Sequence, residues 1–510
     1  MLSRSSTSWS GMTASITVRR RMPSGLITSD GLLRPRIRLA RVSELLLASA
    51  VRQLELLRKG EVSVAELAEA HIAQIGRLNH QLNALVDFDA ERVRAQARAL
   101  DACKSPMGSL HGLPVTVKSS ISTAGYLCEI GSTILRGDRP NGDAPVVARL
   151  REGGALILGT TNCPEFLMAY ETDNLLHGRT NNPWDLTRSP GGSSGGESAA
   201  IAACMSAAGL GSDSGGSVRL PAHFTGICSL KPTPGRVPGR GHLPPCVGPF
   251  STLGAIGPMA RTIADVSLMF ETISGQDVCD PAGAPVGLRR PSLADLRAQT
   301  IGYFEDDGLV PVTQETRTAI QDSVRVLREA GFRVEAFRPR TLELLRKLWW
   351  KFFVRCGAMF YAPTIRGKES QLSPIFREFL ETAGVDGPLD GVELLDAWAE
   401  LDLLRIRTLS EMRGYPVLLC PVASIPAFRH GERTWMVEGR EVAYLDAVRH
   451  TQWWNVLACP AAVVPVGRSV EGLPIGVQVV ARPWEDEVAL GVAGVLDAAF
   501  GYRVPSLALS

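Results

Sequence analysis

The chain of 510 residues is notable first for what it lacks. No 18 consecutive residues are apolar, so no membrane-spanning helix is expected. Ten cysteines are scattered from Cys103 to Cys459 without one C-x-x-C pair, which excludes a zinc ribbon or a dithiol redox motif and does not read as a disulfide framework. Cys204, Cys420 and Cys459 lie in apolar runs, where cysteine behaves as a small hydrophobe; a reducing, cytoplasmic setting follows. Neither sign of charge is in excess. Lys and Arg number 54 against 52 Asp and Glu, a net +2 that makes no electrostatic case for a nucleic-acid partner. There is no phosphate loop, since Gly367-Lys368 runs into Glu369. With 45% hydrophobic and 21% charged residues the composition is that of a globular protein.

The even charge hides a basic head. Residues 1–41 carry eight Arg and a single acid, Asp30, leaving the remainder at about −5 by difference. A Ser/Arg-rich, acid-poor head has the composition of an organellar transit peptide; a disordered extension, with Met12 or Met22 as the start, is the stronger expectation. No apolar core follows the charges, so it does not read as a secretory signal.

From residue 42 the pattern becomes regular, and residues 42–510 read as one large domain. Leu45 to Leu57 follow helical spacing, Ser63 and Glu66 form a capping box for a helix to about Leu78, and a third helix covers Asp89 to Leu100. Short apolar runs at Leu113–Val117, Ala155–Gly159, Thr300–Phe304 and Val417–Cys420 read as buried strands. Helical stretches at 144–152, 195–206, 261–274, 313–330 and 484–499 lie between and after them, and Ala461–Val466 with Leu473–Val480 read as a hairpin or adjacent strands. Such alternation predicts an α/β fold whose sheet is covered on both faces. The segment 342–361 mixes Trp349, Trp350, Phe352 and Phe353 with Arg346, Lys347, Lys351 and Arg355. Core packing or a pocket wall is the leading expectation for it, and a membrane-surface helix the lesser one.

Glycine is the one excess, with 50 residues. It is densest between Ser189 and Ala222, which hold eight glycines and eight serines. A flexible linker is excluded because Glu197–Ser206 is a helix former, and G-x-G-x-x-G fails because Ser214 stands at the third glycine position. An acyl-transfer site remains. Gly215-Gly216-Ser217 lets the backbone approach a substrate, turns successive N–H groups into one concavity, and sets Ser217 beside its own oxyanion donors. A base is still required. His177 and His223 are the nearest histidines, but nothing marks either as a partner; Lys118, at the end of a buried strand, loses its proton more readily there.

Together these stretches resemble the amidase signature family of amide hydrolases. The core of the likeness is GGSSGGESAAIAA at 191–203 and GLGSDSGGSVRLPA at 209–222; it extends to HGLPVTVKSS at 111–120, CSLKPTPGRV at 228–237 and GLPIGVQVVARPWEDE at 472–487. The resemblance implies an α/β/α sandwich around a large twisted mixed β-sheet. It implies Ser217 as nucleophile, Ser193 as the bridging serine on a cis peptide, and Lys118 as base. It further implies an oxyanion hole of the N–H groups of Ser214, Gly215, Gly216 and Ser217, with no metal and no cofactor. Asp213 and Arg219 are expected to form a supporting ion pair, Glu165 and Ser194 to hold the loop and relay, and Leu167 and Met168 to line the acyl pocket or join the core. Where many members of the family carry Asp after the lysine, this chain has Ser119.

The likeness is greatest to fatty-acid-amide-hydrolase-like bacterial amidases and aryl acylamidases, which with the aromatic segment 342–361 implies hydrophobic substrates: aryl acylamides, fatty or other aliphatic amides, and also esters or carbamates. The alternative is the glutamine-hydrolysing component of a tRNA-dependent amidotransferase, although the C-terminal region characteristic of that component is not recognised. An inactive interaction protein would have no need of all three catalytic positions. A homodimer is the expected assembly for an enzyme of this size.

Overall fold

The computed structural model describes residues 42–509. The basic head, with its expected extension or targeting role, lies outside the described residues. Thirteen strands form among the described residues: β1 Leu85–Phe88, β2 Pro114–Lys118, β3 Leu156–Thr161, β4 Ala208–Asp213, β5 Cys228–Lys231, β6 Ala255–Ala260, β7 Thr300–Tyr303, β8 Arg333–Ala336, β9 Val417–Pro421, β10 Thr434–Val437, β11 Arg440–Ala443, β12 Ala461–Arg468 and β13 Pro474–Ala481. Eleven make one sheet in the order β1-β3-β2-β4-β6-β5-β12-β13-β9-β7-β8, and β10 with β11 forms a separate ribbon. The large sheet is mixed. Strand β2 runs parallel to β3 and β4, β4 antiparallel to β6, and β12 and β13 are the expected hairpin.

Every residue of β2, β3, β4, β9 and β13 is buried, which explains why they read as continuous runs of small and apolar residues. Successive side chains go to opposite faces. Val417, Leu419, Ala462 and Val464 join one core with the helices Pro145–Glu152, Ile263–Ile273, Gln314–Glu329 and Asp486–Phe500. Leu418, Cys420, Ala461 and Val463 join the other, against Arg219–Thr225, Leu342–Trp349, Gly391–Glu411 and Gln452–Val456. The molecule is an α/β/α sandwich.

Helix starts follow their caps. Ser63 and Glu66 close the capping box that opens Val64–Leu82, and the Thr313 hydroxyl accepts from the Thr316 N–H ahead of Gln314–Glu329. Two expectations shift. The first helical pattern is broken at Ser49, whose hydroxyl accepts from the Arg52 N–H and starts a new helix, Ala50–Arg58. The helix expected over 195–206 ends at Ala202, because Cys204 turns left-handed (φ +57°) to lead the chain into β4.

The aromatic segment divides into the helix Leu342–Trp349, a π-helical turn Trp350–Arg355, and the helix Cys356–Ile365. Its Trp349 and Phe352 are buried, while Arg346, Lys351 and Arg355 pair with Asp446, Glu400 and Glu393. It supplies core and pocket wall through Trp349, Phe352 and Phe353, while Lys347, Met359 and Phe360 are exposed. Among the described residues no helix is long and apolar enough to cross a membrane.

Candidate active site

Parallel pairing of β2 with β4 brings their carboxyl ends together, with Val117 opposite Leu210, so Lys118 and Asp213 leave the sheet at the same edge. Ligand sites of α/β sheets form at that end. Lys118 is fully buried. Its Nζ donates to Ser193 Oγ at 2.6 Å and to Ser212 Oγ at 3.1 Å. Burial lowers its pKa to about 8, against the raising effect of Cys163, Asp213 and Glu197. An amine in that range holds a useful neutral fraction near pH 8.

Ser193 follows a cis peptide bond from Gly192, the conformation the resemblance implied. Ser217 opens onto two spaces. One is a narrow cleft of about 20 Å³ shared with Ser193, Ser212, Ser214 and His242; the other is a cavity of about 270 Å³. Among the described residues no hydrogen bond joins the Ser193 and Ser217 hydroxyls. Ser194 sits behind both serines: its N–H donates to Ser217 O at 3.1 Å, and its hydroxyl lies 3.3 Å from both the N–H and the carbonyl of Ser212.

Asp213 and Arg219 form a buried, two-pronged ion pair at 2.9 and 3.0 Å. Burial alone would raise the Asp213 carboxyl; the charge and hydrogen bonds of Arg219, with the Asn455 hydrogen bond and the Lys231 charge, together outweigh it and hold the group well below the usual carboxylate range. Arg219 also donates to Asn455 Oδ1, Gln478 Oε1 and the Thr451 carbonyl. The same Asp213 carboxylate accepts the N–H of Gly216 at 2.8 Å and of Val218 at 3.2 Å. Of the four N–H groups expected to face an oxyanion, the Gly216 donor is thus engaged by Asp213. Glu165 is placed as a loop brace and not beside the relay: its carboxylate accepts from Ser132 Oγ at 2.8 Å and from the Ser373 N–H at 2.6 Å.

The cavity wall is apolar and comes from distant segments. Leu167 and Met168 line it while also belonging to a buried cluster. Trp349 and Phe353, one helical turn apart, stack at 4.9 Å and 15° into a flat face. Tyr170, Phe379 and Tyr444 complete it, and Glu171, Glu378 and Arg433 make one charged margin. There Arg433 pairs with Glu171 at 2.7 Å and Glu378 at 3.0 Å.

Several groups here carry no signal at the level of motif. Ser212 holds Lys118 as a second partner beside Ser193, accepting from its Nζ. Glu197, fully buried below β2, is raised by burial to about 8 despite hydrogen bonds from Thr116 and Thr161, so near neutral pH it adds little negative charge beside Lys118. His242 is held by Pro244 O at 2.8 Å and lowered by burial to about 4, leaving it neutral. The two weighed histidines lie apart: His177 meets Glu129 at 2.7 Å, and His223 is locked between the Gly476 N–H and the Ile425 carbonyl.

The Amidase family model matches residues 66–490. A glutamyl-tRNA(Gln) amidotransferase chain of Roseiflexus castenholzii is 34% identical over 464 residues, covering 86% of this chain and 93% of that protein. Indoleacetamide hydrolase of Bradyrhizobium diazoefficiens is 31% identical over 459 residues, covering 88% and 86%. A bacterial aryl acylamidase of the amidase signature family superposes with a TM-score of 0.79 at 25% identity, over 90% of this chain and 98% of that one.

Proposed function

Since the chain belongs to the amidase signature family and is an amide-hydrolysing enzyme, we propose that it acts as a serine amidase through Lys118, Ser193 and Ser217. The observation that carries this reading is the buried Lys118 amine, its pKa lowered to about 8, hydrogen-bonded to Ser193 on the narrow cleft onto which Ser217 also opens. Neutral Lys118 takes the Ser193 hydroxyl proton while Ser193 takes that of Ser217. The freed Ser217 Oγ adds to the amide carbon. The oxygen that gains charge is met by the N–H groups of Gly215 and Ser217, with Ser214 beside them. As the C–N bond breaks, the leaving nitrogen receives the proton back through Ser193. Water then enters by the same relay, cleaves the Ser217 ester, and releases the acid. The Ser193–Ser217 link closes when substrate fills the cleft, since catalytic hydrogen bonds in an unliganded site are commonly long. Asp213 and Arg219 brace the loop, Glu165 and Ser194 hold its surroundings, and no step calls for a metal or cofactor.

The substrate we propose is a compact hydrophobic amide. A flat aromatic face on a cavity of about 270 Å³ suits an aryl or short aliphatic acyl group better than a long fatty chain. Amidotransferase relatives and the charged margin of Glu171, Glu378 and Arg433 favour glutamine as the second reading, because a zwitterion needs both signs of charge. Ammonia release from phenylacetamide and indole-3-acetamide, p-nitroaniline release from acyl anilides, and ammonia release from glutamine separate the two. We expect kcat/KM for the best aryl amide to exceed that for glutamine by about a hundredfold; a preference for glutamine would overturn the hydrophobic reading. The ten free cysteines suit a cytoplasmic enzyme, and a homodimer is the assembly we expect.

A further inference from the structure

The loop Ser214–Ser217 is held by three side chains that no catalytic motif contains. Trp349 Nε1 donates to the Ser214 carbonyl at 3.0 Å. The Gly215 carbonyl accepts two hydroxyls, Thr451 Oγ1 at 2.6 Å and Tyr170 Oη at 2.9 Å, and Gln452 Nε2 in turn donates to Tyr170 Oη at 3.1 Å. The carbonyl of Gly216 is tied to the Leu220 N–H at 2.7 Å.

In a trans peptide the C=O of one residue and the N–H of the next point in opposite directions. Pinning the Ser214 carbonyl to Trp349 therefore turns the Gly215 N–H away from the indole, and tying the Gly216 carbonyl to Leu220 does the same for the Ser217 N–H. The doubly held Gly215 carbonyl fixes the next peptide plane, whose N–H is seated on Asp213. The glycines are what let the clamp close. A Cβ on Gly215 would stand 2.8 Å from both Trp349 Cζ2 and Tyr170 Oη, and one on Gly216, already at φ +125°, would stand 2.3 Å from Thr451 Oγ1.

We propose that Trp349, Tyr170 and Thr451 are positioning residues for the oxyanion hole, and that Trp349 couples it to the substrate cavity because its ring also forms the cavity wall. The inference rests on the reading of Ser217 as nucleophile. Trp349 meets the substrate with its face and the oxyanion loop with its N–H, so an acyl group that seats well against the wall also holds the loop in register. A wall residue acting by packing alone would alter substrate binding; one that aims a donor alters the stability of the tetrahedral intermediate.

Trp349→Phe, which keeps an aromatic wall but removes the N–H, is the main test, with Tyr170→Phe and Thr451→Val beside it. Each full-length variant is assayed with an acyl anilide and titrated with two inhibitors: a trifluoromethyl ketone, which forms a tetrahedral adduct with a serine, and the product acid, which does not. Labelling of Ser217 by a fluorophosphonate reports on the nucleophile separately. We expect kcat to fall about tenfold or more, with KM within about twofold, and the trifluoromethyl ketone to weaken in step with kcat/KM while the product acid binds as before. If all three variants keep wild-type kcat, or if both inhibitors weaken equally with KM, the clamp is a wall only and the proposal is overturned. If wild-type Ser217 is not labelled and Ser217→Ala keeps its turnover, the failure lies in the nucleophile and not in the clamp. Should Trp349→Phe fail to fold, the two hydroxyl variants decide by the same criteria.

Discussion

The floor of the cavity and its wall are assembled by different rules. The floor, meaning the polar cleft of Ser193, Ser212 and Ser217 with Lys118 and Asp213 packed against it, is built from residues 118–217: Lys118, Ser212 and Asp213 stand at the carboxyl ends of the adjacent strands β2 and β4, Ser193 and Ser217 on loops beside them, all buried. The wall draws Leu167, Trp349, Phe353, Phe379 and Tyr444 from segments far apart in sequence, outside the sheet, and presents a shaped apolar surface. In the floor, polar groups are held by specific partners, so a single deletion leaves another group unsatisfied. In the wall, neighbours share the load and a deletion changes fit. Chemistry is thereby separated from specificity, with Trp349 as the residue that belongs to both.

That separation sets an order of effects. Lys118→Ala should sink the floor, lowering kcat by about 10⁴-fold or more with the fold retained, as read by anilide turnover beside thermal melting; a loss of tenfold or less would mean that another base serves. Phe353→Ala and Phe352→Ala should split the wall from the core behind it. Loss of Phe353 is expected to raise KM for aryl amides about tenfold and spare kcat. Loss of Phe352, fully buried against Trp398, is expected to cost about 3–5 kcal/mol of stability while leaving the kinetics of the folded enzyme alone. Equal effects of the two would erase the distinction. The mildest handle is pH. With the Lys118 pKa lowered to about 8, the protonated, inactive form dominates below that value, so kcat/KM should rise about tenfold per unit toward pH 8 and then level. A profile flat from pH 6 to 9 would contradict a lysine base.

The same contrast explains what is legible in the sequence. The strand and helix pattern shows through because buried strands are continuous apolar runs and helix starts carry caps such as Ser63 and Thr313. Ser193 and Ser217 stand out because their glycine-dense stretch has few other uses, Lys118 because it ends a buried apolar strand, and the roles proposed for all three come from the family likeness rather than from spacing. Tyr170, Trp349 and Thr451 stay hidden for a physical reason: each donates to a backbone carbonyl, and a carbonyl leaves no trace in residue identity. Their one shadow is the pair Gly215-Gly216, where any side chain would strike them. Seating of the Gly216 N–H on Asp213 is likewise beyond a motif, since it depends on how a turn folds back on its own strand end.

The proposed covalent bond on Ser217 can be observed directly. The enzyme is mixed with an activated aryl ester or anilide, quenched in acid within the first turnovers, and digested for mass spectrometry of the peptide that contains residue 217. The expected result is the mass of one acyl group on Ser217 in the wild-type protein, accumulating in Lys118→Ala only slowly or not at all, and absent from Ser217→Ala. An adduct on another residue, or steady turnover by Ser217→Ala at the wild-type rate, would contradict it.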